Sequence, residues 1–250
     1  MPDRLVRKLE ILGRLTPADC AALAQAPGPA RDFPRDADMV SEGDRPSVCI
    51  LLLQGLACRY RSLSDGRRQI LAFQFPGDIV DLQGFVLRRM DHSVMTLTRC
   101  RAAPIGHDVL RRLVSEHPPV GLALWRDTLV DAAMLREWVV GLGQRPAYER
   151  MAHLFCEVAY RVAALGGAPA ASFDFPVTQV ELGDALGLSV VHVNRVMQRL
   201  RAEGLLSHRG GTVTIHDWGG LRLAGDFDPG YLHPEPTELA ERAFGIATDH

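Results

Sequence analysis

Arg195, Gln198 and Arg199 fall within one short stretch, "GLSVVHVNRVMQRLRAEGLL", Gly187 to Leu206, with two valines just inside the start of the helix it suggests. These side chains suit recognition rather than catalysis. Arginine forks to guanine or holds a phosphate, glutamine and asparagine pair with adenine, and valine can touch a thymine methyl. Such a role requires one shared face. Winding the segment as a helix puts Val193, Val196, Met197 and Leu200 on a buried arc, with Val191, Arg195 and Gln198 opposite and Asn194 and Arg199 on the flanks. A solvated surface is the plain alternative for each. For Arg199, Arg201 and Arg209 a phosphate contact and plain solvation stand about equal. Between Leu186 and Arg209 the four arginines Arg195, Arg199, Arg201 and Arg209, with His192 and His208 beside them, face one acid, Glu203. The chain's only lysine is Lys8, so this arginine bias is partly compositional.

The elements that must position this face are legible just before it. In "TQVELGDALGLS" Thr178 and Glu181 form a capping box that starts a first helix. Gly183 lets two helices cross closely, and Gly187 supplies the turn. Val180, Leu182, Leu186, Leu188, Val193 and Val196 are then the inward positions of a helix-turn-helix, with a plain helical hairpin as the alternative. "LLSHRGGTVTIHDWGGL" follows as a hairpin turning at Gly210-Gly211, which places Arg209 on a wing.

Upstream, Leu5, Leu9 and Leu12 space helically, and Thr16-Pro17 opens a second short helix. From Arg31 to about Ile105 short apolar runs alternate with glycines at 43, 55, 66 and 77, the strand-and-turn spacing of a sandwich or jelly roll. Beyond Glu116-His117-Pro118-Pro119 the period becomes helical. Leu122, Trp125, Leu129, Ala132, Val139 and Leu142 form a stripe broken by Arg136, which fits either a coiled-coil seam with a second chain or a core helix. "GLGQRP" is expected to interrupt that helix, and Pro146 to open the next, "PAYERMAHLFCEVAYRVAALGG", ending at Gly166-Gly167. The tail from Phe227, with Pro229, Pro234 and Pro236, is expected to lose order toward its end.

The 250 residues allow two domains, and the apolar fraction of 47% is ordinary for a globular chain. A net charge of −2 announces no nucleic-acid partner on its own. The charged start "MPDRLVRKLE" and the lack of an eighteen-residue apolar run predict neither a membrane span nor a secretory segment, and so a cytoplasmic protein. Cys20, Cys49, Cys58, Cys100 and Cys156 have no C-x-x-C spacing and read as reduced, mostly core thiols rather than a disulfide, zinc or iron–sulfur framework. No metal, no cofactor and no nucleophile–base set is expected. A β-roll metalloenzyme would need clustered histidines, whereas His92, His107 and His117 fall on loop-like sequence.

From about Leu5 to His233 the chain resembles the Crp/Fnr family of bacterial transcription regulators. The likeness rests on the roll "SEGDRPSVCILLLQGLACRYRSLSDGRRQILAFQFPGD", the long helix, "RPAYERMAHLF" and "LGLSVVHVNRVMQRLRAEGLL". It implies an α+β chain: an effector-sensing N-terminal jelly-roll β-roll over 1–117, a dimerisation helix over 118–143, a C-terminal winged helix-turn-helix domain over 144–233 and a mobile tail over 234–250. It also implies a homodimer on a pseudo-palindromic DNA operator and contact with RNA polymerase. The DNA-binding candidates are Thr178, Gln179, Val190, Val191, His192, Asn194, Arg195, Gln198, Arg199 and Arg209. The dimerisation candidates are Leu122, Trp125, Leu129, Ala132, Val139 and Leu142. Asp81, Leu82, Gln83, Gly84, His92 and Ser93 are the candidates for an effector pocket.

The departures from the family pattern concern that pocket above all. Cyclic-AMP-binding members of the family carry a glutamate for the ribose and an Arg-Ser pair for the phosphate; "VDLQGFVLRRMDHSV" has Leu82 and His92-Ser93 in those places. Oxygen-sensing members carry an N-terminal cysteine cluster, and here Cys20 stands alone. In the recognition helix, the common Arg-Glu-x-x-x-Arg pattern becomes Val190-Val191-x-x-x-Arg195. The resemblance with these departures therefore implies a regulator of unknown effector, cyclic AMP not being expected, the alternative being a cyclic-nucleotide-binding module with no DNA-binding role.

Overall fold

The computed structural model describes residues 3–166 and 171–233, and its packing divides into two units between Asp131 and Ala132. The tail expected over 234–250, and Gly167 of the expected helix end, lie outside the described residues.

In the first unit α1 (Asp3–Leu12) buries Leu5, Leu9 and Leu12, and Thr16 closes a capping box with Asp19 at the start of α2 (Pro17–Gln25). Seven strands follow: β1 (Arg31–Phe33), β2 (Asp38–Val40), β3 (Val48–Gln54), β4 (Ala57–Ser62), β5 (Arg68–Gln74), β6 (Ser93–Thr96) and β7 (Cys100–Gly106), with α3 (Gln83–Leu87) between β5 and β6. They pair antiparallel in two sheets, β1-β7-β3 and β2-β6-β4-β5. The run "VCILLLQ" lacks alternation because both faces of β3 are buried. Ile50 and Leu52 pack with Ala57, Val94 and Ala102, while Cys49 and Leu51 pack with Leu5, Leu9 and Leu110.

The unit continues into α4 (His107–Glu116) and the part of α5 (Pro118–Gln144) up to Asp131; the rest of α5 belongs to the second unit. His107 and His117, expected on loops, instead open and cap α4; the helix starts directly from the end of β7 at Gly106, a junction that periodicity does not reveal. The residues of α5 that join the first unit's core are Val120, Ala123, Leu124 and Val130. A buried ionic group fastens this face. Lys8 of α1 lies 2.8 Å from both Asp78 and Asp127, and Arg59 of β4 reaches Asp131 at 2.5 Å. Burial alone would lower the Lys8 pKa, but Asp127, Asp78 and Asp131 outweigh it and raise it above the ordinary value.

"GLGQRP" interrupts the helix as expected, at its last two residues. The helix runs through Gly141 and Gly143, and the break is confined to Arg145-Pro146 before α6 (Ala147–Gly166). A glycine costs a helix only about 1 kcal/mol, whereas Pro146 has no N–H and turns Arg145 away from helical backbone.

The second unit adds β8 (Ser172–Asp174), α7 (Gln179–Leu186), α8 (Val190–Ala202), β9 (Leu206–Arg209), β10 (Thr212–Ile215), α9 (Trp218–Gly225) and a 3-10 turn at Pro229–Leu232. β10 is the middle strand of a sheet ordered β8-β10-β9. Two of these elements are not apparent from the sequence. β8 is three residues long, too short to alternate visibly. The expected hairpin stops at Ile215, and "DWGGL" begins α9, with Asp217 accepting from the Gly220 N–H at 2.9 Å; the glycine pair hides the helix. Glu157 on α6 is buried and accepts from Tyr231 Oη at 2.8 Å and from Trp138 Nε1 at 3.2 and 3.3 Å.

Candidate nucleic-acid interface

The capping box read from sequence starts α7: the Glu181 N–H donates to Thr178 Oγ1 at 3.1 Å, and Glu181 accepts from the Thr178 N–H at 2.6 Å. Gly187 then ends the helix in left-handed backbone at φ 62°, where a side chain would be strained. At Gly183 a Cβ would stand 2.6 Å from the Leu188 carbonyl oxygen, so only glycine lets the turn fold back over α7. Ser189 caps α8 by accepting from the His192 N–H at 3.3 Å. Leu182 and Leu186 are buried as expected. Leu188 is half-buried, and Val180 is 54% exposed, because the second position of α7 faces away from the packed side.

Within α8, Val193, Val196 and Leu200 are buried; Met197, expected with them, lies at the rim of the arc and is half-buried. Val190, Val191, His192, Asn194, Arg195, Gln198 and Arg199 are all exposed, as are Thr178 and Gln179, although the Thr178 hydroxyl is committed to its cap. Among the described residues Arg195 makes no hydrogen bond or ion pair. Arg199 is engaged: its Nε donates to Glu203 Oε1 at 2.8 Å, and its Cζ lies 4.0 Å from the centre of the Tyr148 ring.

Arg209 is exposed at the end of β9, beside the Gly210-Gly211 turn. His208, counted in the basic patch from sequence, points inward. Its Nε2 lies 2.9 Å from the Phe175 carbonyl, and burial lowers its pKa, so it adds no cation to the wing.

The effector-pocket candidates form a second constellation, in the first unit. Asp81, Leu82, Gly84 and His92 are buried, while Gln83 and Ser93 are half-buried. Asp81 Oδ1 accepts from the Ile50 N–H at 2.6 Å, and Ser93 Oγ accepts from the Glu42 N–H at 2.9 Å. Asp81 Oδ2, Gln83 Oε1 and His92 Nε2 are buried with no protein partner. His92 Nδ1 is 2.6 Å from Asp91, and burial lowers its pKa. Sequence reasoning missed Arg59, the buried cation whose charge acts on both Asp81 and His92. Its signal was an arginine at an inward position of "LACRYRS".

Burial, opposed by the Ile50 N–H and Arg59, pushes the Asp81 carboxyl up to about 6. A carboxyl raised above its unfolded value near 3.9 binds more protons in the folded state, so stability falls as pH rises from about 4 through 6. Asn keeps the acceptor for Ile50 without the buried charge. Asp81→Asn is therefore expected to exceed the wild type by on the order of 2 kcal/mol at pH 8 and to match it near pH 4. Urea unfolding at the two pH values measures this, and an advantage that grew toward acid would contradict the assignment.

The helix stripe is open in the single chain. Trp125 is 64% and Leu129 54% exposed, Leu122, Val139 and Leu142 are also exposed, and Ala132 is half-buried. The core-helix alternative therefore fails for these residues, because a different set, Val120, Ala123, Leu124 and Val130, faces the core.

Comparison with known proteins matches both regions of the chain. Residues 30–117 match the model of the cyclic nucleotide-binding domain, and residues 149–224 that of the Crp-like helix-turn-helix domain. A probable transcriptional activator of Rhizobium leguminosarum bv. viciae is 31% identical over 169 residues, covering 68% of this chain and 69% of that protein. The chain belongs to the Crp/Fnr family. It is also similar to the transcriptional activator protein FnrL of Cereibacter sphaeroides, at 28% identity over 81% of this chain and 83% of the relative. The fold matches the solved structure of FixK2 from Bradyrhizobium japonicum, with a TM-score of 0.70 and 23% identity over 78% of this chain and 96% of that one. As a Crp/Fnr protein with its helix-turn-helix in place, the chain is a DNA-binding transcription regulator, which removes the alternative of a module with no DNA-binding role. Among the described residues no helix is long and apolar enough to cross a membrane.

Proposed function

We propose that this Crp/Fnr regulator is a cytoplasmic homodimer that reads a pseudo-palindromic operator with two copies of α8 and works with RNA polymerase, that it catalyses no reaction, and that cyclic AMP is not its effector. The observation that carries this reading is the division of α8, which buries Val193, Val196 and Leu200 and leaves Val191, Arg195 and Gln198 open. Val190, His192 and Asn194 flank these readers, and Thr178, Gln179, Arg199 and Arg209 lie where the phosphate backbone would run. Residues 1–117 serve as the sensing domain, 118–143 as the dimerisation helix and 144–233 as the DNA-binding domain. Two copies joined through Leu122, Trp125, Leu129, Ala132, Val139 and Leu142 would set their half-sites about 10 base pairs apart, one helical turn. A genome-wide map of bound sites tests the reading: it is expected to return a two-fold symmetric motif with that spacing, and an asymmetric motif or none would overturn it.

Asp81, Leu82, Gln83, Gly84, His92 and Ser93 line the effector position. Leu82 offers nothing to a ribose hydroxyl. His92, tied to Asp91 and held neutral by burial, offers no charge to a cyclic phosphate. A buried anion without a charge-assisted bidentate partner is severely destabilised. Calorimetry is therefore expected to show no micromolar binding of cyclic AMP, and DNA affinity to be the same with and without it. A micromolar isotherm with nucleotide-dependent DNA binding is the contrary result.

A further inference from the structure

Glu203 stands where an isolated helix does not favour an acid. It is the C-cap of α8, next to the negative end of the helix dipole. Its partner Arg199 precedes it by four residues, the weaker order for an ion pair along a helix. Helix stability therefore does not account for the pair, and a carboxylate beside a surface that meets phosphates opposes DNA binding. A second attachment fixes the arrangement. Tyr148, in the first turn of α6, donates its hydroxyl to Glu203 Oε2 while its ring lies under the Arg199 guanidinium. These hydrogen bonds, from Tyr148 first and Arg199 second, hold the Glu203 carboxyl below the usual range. Burial and the adjacent Glu203 push the Tyr148 phenol up to about 12.

We propose that Glu203 is a resident counter-ion of Arg199, standing in for a DNA phosphate until the duplex displaces it, with Tyr148 as the platform that keeps the guanidinium flat during the exchange. This rests on the reading of α8 as the DNA-binding helix and adds two positioning residues, neither of which touches a base. The pair is largely exposed, so the exchange is cheap and Glu203 tunes affinity without selecting sequence.

The test is a double-mutant cycle on the full-length dimer. Wild type, Glu203→Gln, Arg199→Ala and the double variant are titrated with the operator and with a random-sequence duplex at two salt concentrations. Glu203→Gln is expected to tighten both duplexes by about two- to fivefold per half-site, with base preference unchanged. In the Arg199→Ala background the same change is expected to gain little. In the DNA-free protein the Arg199 Nε–Hε resonance, protected by the carboxylate, is expected to exchange faster in Glu203→Gln. An equal gain in both backgrounds would mean only long-range charge, and weaker binding to both duplexes would mean a structural role; either result overturns the inference alone. Wild type that binds neither duplex at low salt overturns the DNA-binding reading and this inference with it.

Discussion

Arg195→Ala is expected to weaken binding to the preferred operator by roughly 1–3 kcal/mol per half-site and to relax selectivity at one base pair, most readily a guanine. The size follows from where the side chain stands. Arg195 projects from the second turn of α8, on the face opposite Val193, Val196 and Leu200, and among the described residues it has no ion pair to give up. On the proposed reading, truncation would remove a bidentate hydrogen bond to a base edge outright, once in each protomer. Arg199 supplies the control. Its removal is expected to weaken every sequence alike and to make the salt dependence shallower by about one unit for each phosphate left without its arginine. Val191→Glu exchanges an apolar contact for an acceptor and is expected to move preference toward a base with an amino group, such as cytosine. Titrations on singly substituted operators at two salt concentrations separate these effects. A uniform weakening for Arg195→Ala together with an altered preference for Arg199→Ala would mean that α8 docks in another rotation.

Leu129→Arg is expected to convert the protein to a monomer at micromolar concentration and to lower operator affinity by two to four orders of magnitude. Joining two half-site readers makes the second contact intramolecular, worth about 10²–10⁴ in affinity, and the monomer forgoes it. A guanidinium in an apolar seam has no partner to offset its lost hydration. Since Leu129 is more than half exposed in the single chain, the substitution leaves each unit's core intact. Sedimentation and operator titration on the same preparation decide the matter. A dimer that still binds normally would place the interface on another surface.

The helix-turn-helix was legible because its signals are local. Thr178 and Glu181 fix one end, Gly183 and Gly187 fix the crossing, and the 3.6-residue period sorts the two faces of α8. The face of α5 was not legible, because that helix is apolar nearly all round. Leu122, Trp125 and Leu129 and their core-facing neighbours Val120, Ala123 and Leu124 are chemically alike, and only packing tells them apart. The grip on Arg199 was hidden for a different reason. Tyr148 lies 55 residues before Glu203, and no periodicity spans that interval. His208 read as a cation for want of any sign that the Phe175 carbonyl would claim it. Jelly-roll turns such as the one at Gly66 announced themselves, while β8 and α9 were masked by shortness and by glycine.

Lys8 is the only lysine in the chain, and it is held between Asp78 and Asp127 against α5. Acylating reagents attack the neutral amine, and here that form is suppressed and largely enclosed. The folded first unit therefore offers amine chemistry almost no side-chain target. Acylation of Lys8 has to wait until α1 lifts away, so the mass increment at Lys8 becomes a clock for the opening of the first unit. The same property makes random lysine coupling a poor way to tether the protein to a surface, and leaves arginine as the residue at which trypsin cuts the native fold.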